Sequence, residues 1–181
     1  MRIPTAIRTT GLCALVLALG LTLASATPSY AVSDSGPYTV FADQSGRCLD
    51  VFNWDTSDSA AIVQWECTWA MNQRWFLRGG LHGTAYAFTI RSAHTNKCLQ
   101  AGPPVSPIVQ RTCDGNNAWQ LWLLGSSRRW SSAYSFVFYG STSPACLVQP
   151  GMNNGDRWVL GWCNGSSGDT MFRLMNAGFL Q

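Results

Sequence analysis

Seven cysteines, two histidines and nine carboxylates are the side chains whose chemistry here depends on spacing. Cys13 lies in an apolar N-terminal run. The other six form three pairs: Cys48 with Cys67, Cys98 with Cys113, and Cys146 with Cys163. A leucine follows the first cysteine of each pair. A polar-x-aromatic step follows the second: Gln73-Arg74-Trp75, Gln120-Leu121-Trp122 and Thr170-Met171-Phe172. First cysteines recur after 50 and 48 residues, second cysteines after 46 and 50, and the aromatic closers after 47 and 50. Paired thiols can bridge or hold zinc, but no Cys-x-x-Cys occurs and only His82 and His94 could complete a zinc site, so no metal is expected. Catalytic signatures are missing too: there is no Gly-x-Ser-x-Gly, His-Glu-x-x-His or phosphate loop. The carboxylates show no isolated pair of the kind that hydrolyses glycosides. Neither an enzyme nor a cofactor is expected.

Arg2 and Arg8 precede an apolar stretch from Leu12 to Leu23, and small residues follow. This is the pattern of a secretory signal peptide over residues 1–31, with cleavage after Ala26 or, as favoured here, Ala31. The apolar run is short for a membrane span, and none follows it. A secreted, extracellular chain is expected. An even number of cysteines in an oxidising compartment favours disulfides, and the repeat suggests pairing within each unit. Each bridge would close a loop of 15 to 19 residues, worth about 3 kcal/mol. Residues 32–181 are expected to form one domain. Without Arg2 and Arg8, 10 basic residues face 9 acidic ones. No basic stripe appears, which argues against a nucleic-acid partner. Glu66 and Lys97 are the sole glutamate and lysine, and polar positions go to Ser, Thr, Asn and Gly. That is the composition of an all-β chain rich in turns.

The elements that must position these residues repeat as well. Tyr38, Phe88 and Phe136 fall ten residues before the first cysteine of their units, and Val40, Ile90 and Phe138 fall eight before it. Positions two apart in a strand share a face, so these pairs are expected to point inward. The Cys-Leu strand comes next, then an apolar strand (Ile62-Val63, Ile108-Val109, Val159-Leu160), then the strand of the aromatic closer. Asn153-Asn154-Gly155-Asp156 is a hairpin turn, and Asn164-Gly165-Ser166 a loop. Three units of four strands, with repeats about 36–84, 85–131 and 132–181, could form an open solenoid or a closed ring. Closure removes exposed strand edges without capping repeats, which predicts a β-trefoil.

Gly46-Arg47-Cys48-Leu49-Asp50-Val51, Val63-Gln64-Trp65-Glu66-Cys67 and Asn72-Gln73-Arg74-Trp75 together resemble the ricin B-type lectin family, which includes family 13 carbohydrate-binding modules. The resemblance spans the chain after the leader, in three tandem copies. It implies the β-trefoil fold and shallow sites for galactose-type or xylan-type sugars, one potential site per repeat. On this resemblance Asp50 accepts hydrogen bonds from sugar hydroxyls and Trp65 stacks on the sugar's C–H face. Asn72 supplies a hydroxyl-binding amide, and Gln73 supports the aspartate. Trp54, in the loop after Asp50, is a further candidate contact. So is Gln64, beside Val63, which stands where many members carry a polar residue.

The other repeats depart from the pattern. Gln100 and Arg111 replace Asp50 and Trp65 in the second, with Trp119 at the Asn72 position. In the third, Val148 and Gly161 stand at those places, and Trp162 is one residue out of register. The second and third repeats are therefore expected to be structural, with at most one working sugar site per chain. Arg128-Arg129-Trp130 reads as a solvated loop. The expected function is that of a secreted lectin holding a galactose-type or plant-wall sugar. The alternative is a trefoil that docks a protein partner, as the cell-targeting part of a toxin complex or as a protease inhibitor.

Overall fold

The computed structural model describes residues 33–126, 134–140, 143–149, 151–163, 170 and 172–176. The leader, the Arg128-Arg129-Trp130 step and the Asn164-Gly165-Ser166 loop lie outside these residues. The three units emerge as four strands each. The first contains β1 (Ser33–Ala42), β2 (Cys48–Val51), β3 (Ile62–Trp65) and β4 (Arg74–His82). The second contains β5 (Ala85–Ser92), β6 (Cys98–Gln100), β7 (Val109–Arg111) and β8 (Trp122–Ser126). The third contains β9 (Tyr134–Phe138), β10 (Ala145–Val148), β11 (Val159–Trp162) and β12 (Phe172–Asn176).

First and fourth strands pair in sequence, β1 with β4, β4 with β5, β5 with β8, β8 with β9 and β9 with β12, and β12 returns to β1. Six strands thus close a ring without a free edge, which is how a three-unit repeat avoids capping. The second and third strands of each unit form a hairpin. The hairpins meet one another through single bridges, Ala61 to Val109, Val63 to Arg157 and Pro107 to Val159. A closed ring with three mutually bridged hairpins is the β-trefoil. Bridges Cys48–Cys67, Cys98–Cys113 and Cys146–Cys163 each tie the start of one hairpin strand to the chain beyond the other, with Cα separations of 5.1, 5.0 and 5.0 Å.

The inward strand positions and the aromatic closers make the core. Val40, Ile90, Phe136 and Phe138 are buried, with Tyr38 and Phe88 packed against them. Trp75 and Trp122 are fully buried. Their indole N–H groups donate to the Leu49 and Leu99 carbonyls at 3.0 and 3.2 Å, which satisfies the polar end of each ring. Phe172 has no N–H and is smaller. The third unit compensates from the facing hairpin: Trp158, not Val159, occupies the inward position held by Ile62 and Ile108, so the apolar run there begins one residue earlier than the sequence pattern predicts. The ring of Trp158 lies 5.5 Å from that of Phe172, and both are fully buried. Small closer with large hairpin residue replaces large closer with small hairpin residue, which conserves core volume.

Candidate functional site

Asp50 occupies the middle of β2, and its side chain is 4% exposed. Burying a carboxylate is costly unless hydrogen bonds hold it. Two amides of the 3-10 turn Met71–Gln73 do so: Asn72 Nδ2 donates to both carboxylate oxygens at 3.1 and 3.0 Å, and Gln73 Nε2 donates to Oδ2 at 2.8 Å. None of the ion pairs among the described residues includes Asp50. Burial therefore dominates and pushes the carboxyl up to about 6, with the Gln73 and Asn72 amides pulling it back.

A carboxylate offers about four acceptor positions, and three are taken by these amides. One remains for an incoming hydroxyl. A second acceptor stands beside it, because Asn72 Oδ1 is buried and unpartnered among the described residues. Both residues line a cavity of about 330 Å³ together with Phe52, Asn53, Trp54, Trp65, Thr68 and Ala70. This volume is at the small end of the range for ligand pockets, roughly 300–1,000 Å³. Two acceptors facing an aromatic wall can grip two adjacent hydroxyls of a ring while its C–H face lies on an indole.

Trp65, at the end of β3 and 36% exposed, supplies an indole to that wall. Its ring is 5.9 Å from Phe52. On its other side stands the turn Asn153–Asp156 of the third repeat, where Gly155 has φ +88°, and a Cβ at this glycine would come 3.9 Å from the indole. The turn is fixed by reciprocal backbone bonds between Gln64 and the pair Gly155 and Asp156, both at 2.9 Å. Asn154 Oδ1 also accepts from Arg47 Nε and the Glu66 amide at 2.8 and 2.9 Å. One repeat thus supplies the platform, and another supports it.

Trp54 forms the outer wall. Asn53 and Trp54 are both left-handed, with φ of 53° and 57°, each costing on the order of 1 kcal/mol for a residue with a side chain. His94 of the second repeat holds this conformation. Its ring meets Trp54 edge-on at 4.9 Å, and its Nε2 lies 3.1 Å from the Trp54 carbonyl.

Gln73 and Gln64 do not line the cavity. Gln73 stands behind Asp50 and folds the Glu66–Trp69 segment: its Oε1 accepts from the Thr68 and Trp69 amides at 2.8 and 3.2 Å, and its Nε2 donates to the Glu66 carbonyl at 2.8 Å. Gln64 is the clear departure from expectation. It is fully buried on the face of β3 opposite Trp65 and donates to Asp156 Oδ2 at 3.3 Å. Strand alternation forces this, since neighbours in β3 cannot both face the cavity. The sequence reading missed Phe52, Asn53, Thr68 and Ala70. For Phe52 a signal existed, because it lies two residues after Asp50 along the same strand direction.

The equivalent places differ. In the second repeat Gln100 Oε1 accepts from Asn117 Nδ2 and Gln120 Nε2 at 3.1 and 3.0 Å. Asn117, not Trp119, plays the part of Asn72. Trp119 instead stacks on Phe138, with ring centroids 4.9 Å apart. In the third repeat a Cβ at Gly161 would come 2.9 Å from Val148 Cγ2, so apolar packing fills the place of carboxylate and platform. Trp162 points outward, 68% exposed.

Comparison with known proteins agrees with this fold. The designed threefold-symmetric protein ThreeFoil is similar in structure, with a TM-score of 0.68, 23% identity, and coverage of 77% of this chain and 97% of that one. The ricin B-like lectin of Macrolepiota procera in complex with lactose aligns with a TM-score of 0.61 and 15% identity over 83% of this chain and 99% of that one. The C-terminal half of the earthworm R-type lectin, in complex with GalNAc, gives 0.57 and 15% over 76% and 96%. At these identities the likeness is one of fold. No curated protein matches the sequence. A family model for the ricin-type beta-trefoil lectin domain-like group matches residues 29–102 and 72–162. With both matches lying across the ring and the cavity just described, the chain belongs to the ricin-type β-trefoil lectin domain family.

Proposed function

We propose that this protein is a secreted lectin that binds a galactose-type sugar, free or within a plant-wall polysaccharide, at the Asp50 cavity of the first repeat. The observation that carries the reading is the buried Asp50 carboxylate. It is held by two amides and, among the described residues, without a cation or a partner for Asn72 Oδ1, and it lines a cavity walled by Phe52, Trp54 and Trp65. Leaving a charged acceptor dehydrated is costly, and a pair of sugar hydroxyls offsets that cost while an indole covers the apolar face. Two structural relatives carry galactose-type ligands, GalNAc in the earthworm lectin half and lactose in the Macrolepiota procera lectin. The leader-like residues 1–31 and the three bridges support export.

Catalysis is not part of the proposal: the cavity presents a held acceptor and aromatic walls, which bind. A glycan array probed with the purified chain and with Asp50→Ala tests it. Binding to galactosides that disappears in the variant is expected. No binding to any glycan would sink the reading and turn attention to protein partners.

A further inference from the structure

A second cavity, of about 410 Å³, runs along the outer face of β4 and β5. Arg78, Gly80, His82, Thr89, Arg91 and Gly115 are among the residues lining it. The register places Arg78 opposite Thr89 and Phe76 opposite Arg91, so Arg78, Thr89 and Arg91 share one face with Gly80 and His82.

The two arginines differ. Arg78 is committed to Asp34, donating through Nε and Nη2 at 2.7 and 2.8 Å. Arg91 makes none of the ion pairs among the described residues, although its charge, after that of Arg78, helps hold the nearby Asp34 carboxyl below the usual range. Its Nη1 donates to Asn96 Oδ1 at 3.1 Å, and its Nε is buried and unpartnered. The guanidinium is thus oriented by Asn96, and with Nε buried it is the Nη2 group that is left to offer a charge-assisted bond to a carboxylate or sulfate in the cavity. A desolvated donor of this kind favours an anion more than a surface arginine does.

The floor fits a flat ring. A Cβ at Gly80 would find only His82 Nε2 within 4 Å, at 3.9 Å, and one at Gly115 would find nothing. The Thr89 hydroxyl and the His82 imidazole flank this floor and suit sugar hydroxyls.

The turn between β5 and β6 joins the two cavities. Its His94 holds Trp54 at the first site, and its Asn96 holds Arg91 at the second.

We infer that the β4–β5 groove is a second binding site, which takes the carboxylate or sulfate group of an acidic saccharide on the Arg91 guanidinium. The inference rests on the proposed function only in taking the ligand to be a saccharide.

Calorimetric titration with tetragalacturonate, its methyl ester and inorganic sulfate tests it on the wild type, Arg91→Met, Gly80→Val and Asp50→Ala. Gly80 is not left-handed, so valine fills the groove without backbone strain. The acid is expected to bind about tenfold more tightly than the ester, the size of one charge-assisted contact. Arg91→Met should erase that difference, and Gly80→Val should weaken the acid, both without lowering the melting temperature. An ester that binds as tightly as the acid, or a preference that survives Arg91→Met, overturns the inference. Sulfate binding as tightly as the tetramer also overturns it, by reducing the groove to a bare anion site. Asp50→Ala separates the two proposals. If neutral galactosides fail to bind even the wild type while the Arg91-dependent preference persists in Asp50→Ala, the first-site reading falls and the groove stands.

Discussion

The buried carboxylate makes a quantitative statement about stability. Asp50 titrates near 6 in the folded chain because burial disfavours its charge, against 3.8 for an unperturbed aspartate. A raised carboxylate means that the folded state takes up a proton between pH 6 and 4 that the unfolded chain still lacks. This contribution therefore makes the fold more stable as pH falls through 6. At neutral pH the charged, buried form costs on the order of 3 kcal/mol, from about two pKa units at 1.36 kcal/mol each. Lowering the pH from 7 to 4 should return about 2 kcal/mol of it to the wild type.

Asp50→Asn removes the titration while keeping an acceptor for Asn72 and Gln73. It should be the more stable protein at pH 7 and lose that advantage by pH 4. Other carboxylates work in the opposite direction: Asp34, through its hydrogen bond to Arg78, Asp55, through the Ser57 amide, and Asp58, through Lys97, are all held below the usual range. They are common to both proteins and cancel in the difference. Urea unfolding of both proteins at pH 7, 6, 5 and 4 reads that difference directly. Parallel stability curves over this range would refute the claim that Asp50 is a dehydrated, uncompensated charge.

Three further outcomes follow from the packing. Trp65→Ala should weaken galactoside binding by at least tenfold, because the platform is lost. It should change the urea midpoint little, since Trp65 is partly exposed. Phe172→Trp should overpack the third unit against Trp158 and cost about 1–3 kcal/mol, and adding Trp158→Ile should recover most of the loss; a double variant no more stable than the single one would contradict volume exchange across that contact. His94→Ala should release the left-handed Asn53-Trp54 pair and lower sugar affinity by roughly three- to tenfold with little shift in melting temperature. Unchanged affinity would show that Trp54 needs no support from the second repeat.

The threefold period was the strongest signal in the chain, because cysteines, inward strand residues and closers are all set by one backbone geometry used three times. It predicted the strands, the ring and the bridges. Single exchanges hid inside it: Trp158 took an inward position that the pattern assigned to Val159, since core volume is conserved over a contact and not at one residue. That Asp50, Trp65 and Asn72 would come together around one cavity was legible because their positions relative to Cys48 and Cys67 are fixed by the hairpin. Gln64 was misplaced because adjacency in sequence was allowed to outweigh strand alternation. Asn53 and Trp54 carry no glycine to mark their left-handed turn, and the His94 contact that holds it comes from a different repeat. The support of Trp65 by Gly155 likewise crosses repeats. Local motifs carry no trace of such contacts, although each lies within a few ångströms of the cavity.

The central claim is that one site per chain binds neutral galactosides, through the Asp50 carboxylate. Calorimetric titration of the wild type and Asp50→Ala with lactose at pH 7.5, where the carboxylate is ionised, tests it most directly. The account predicts a single site per wild-type chain and no measurable binding to the variant, with both proteins folded. Two or three sites per chain, or lactose binding that survives in Asp50→Ala, would contradict it.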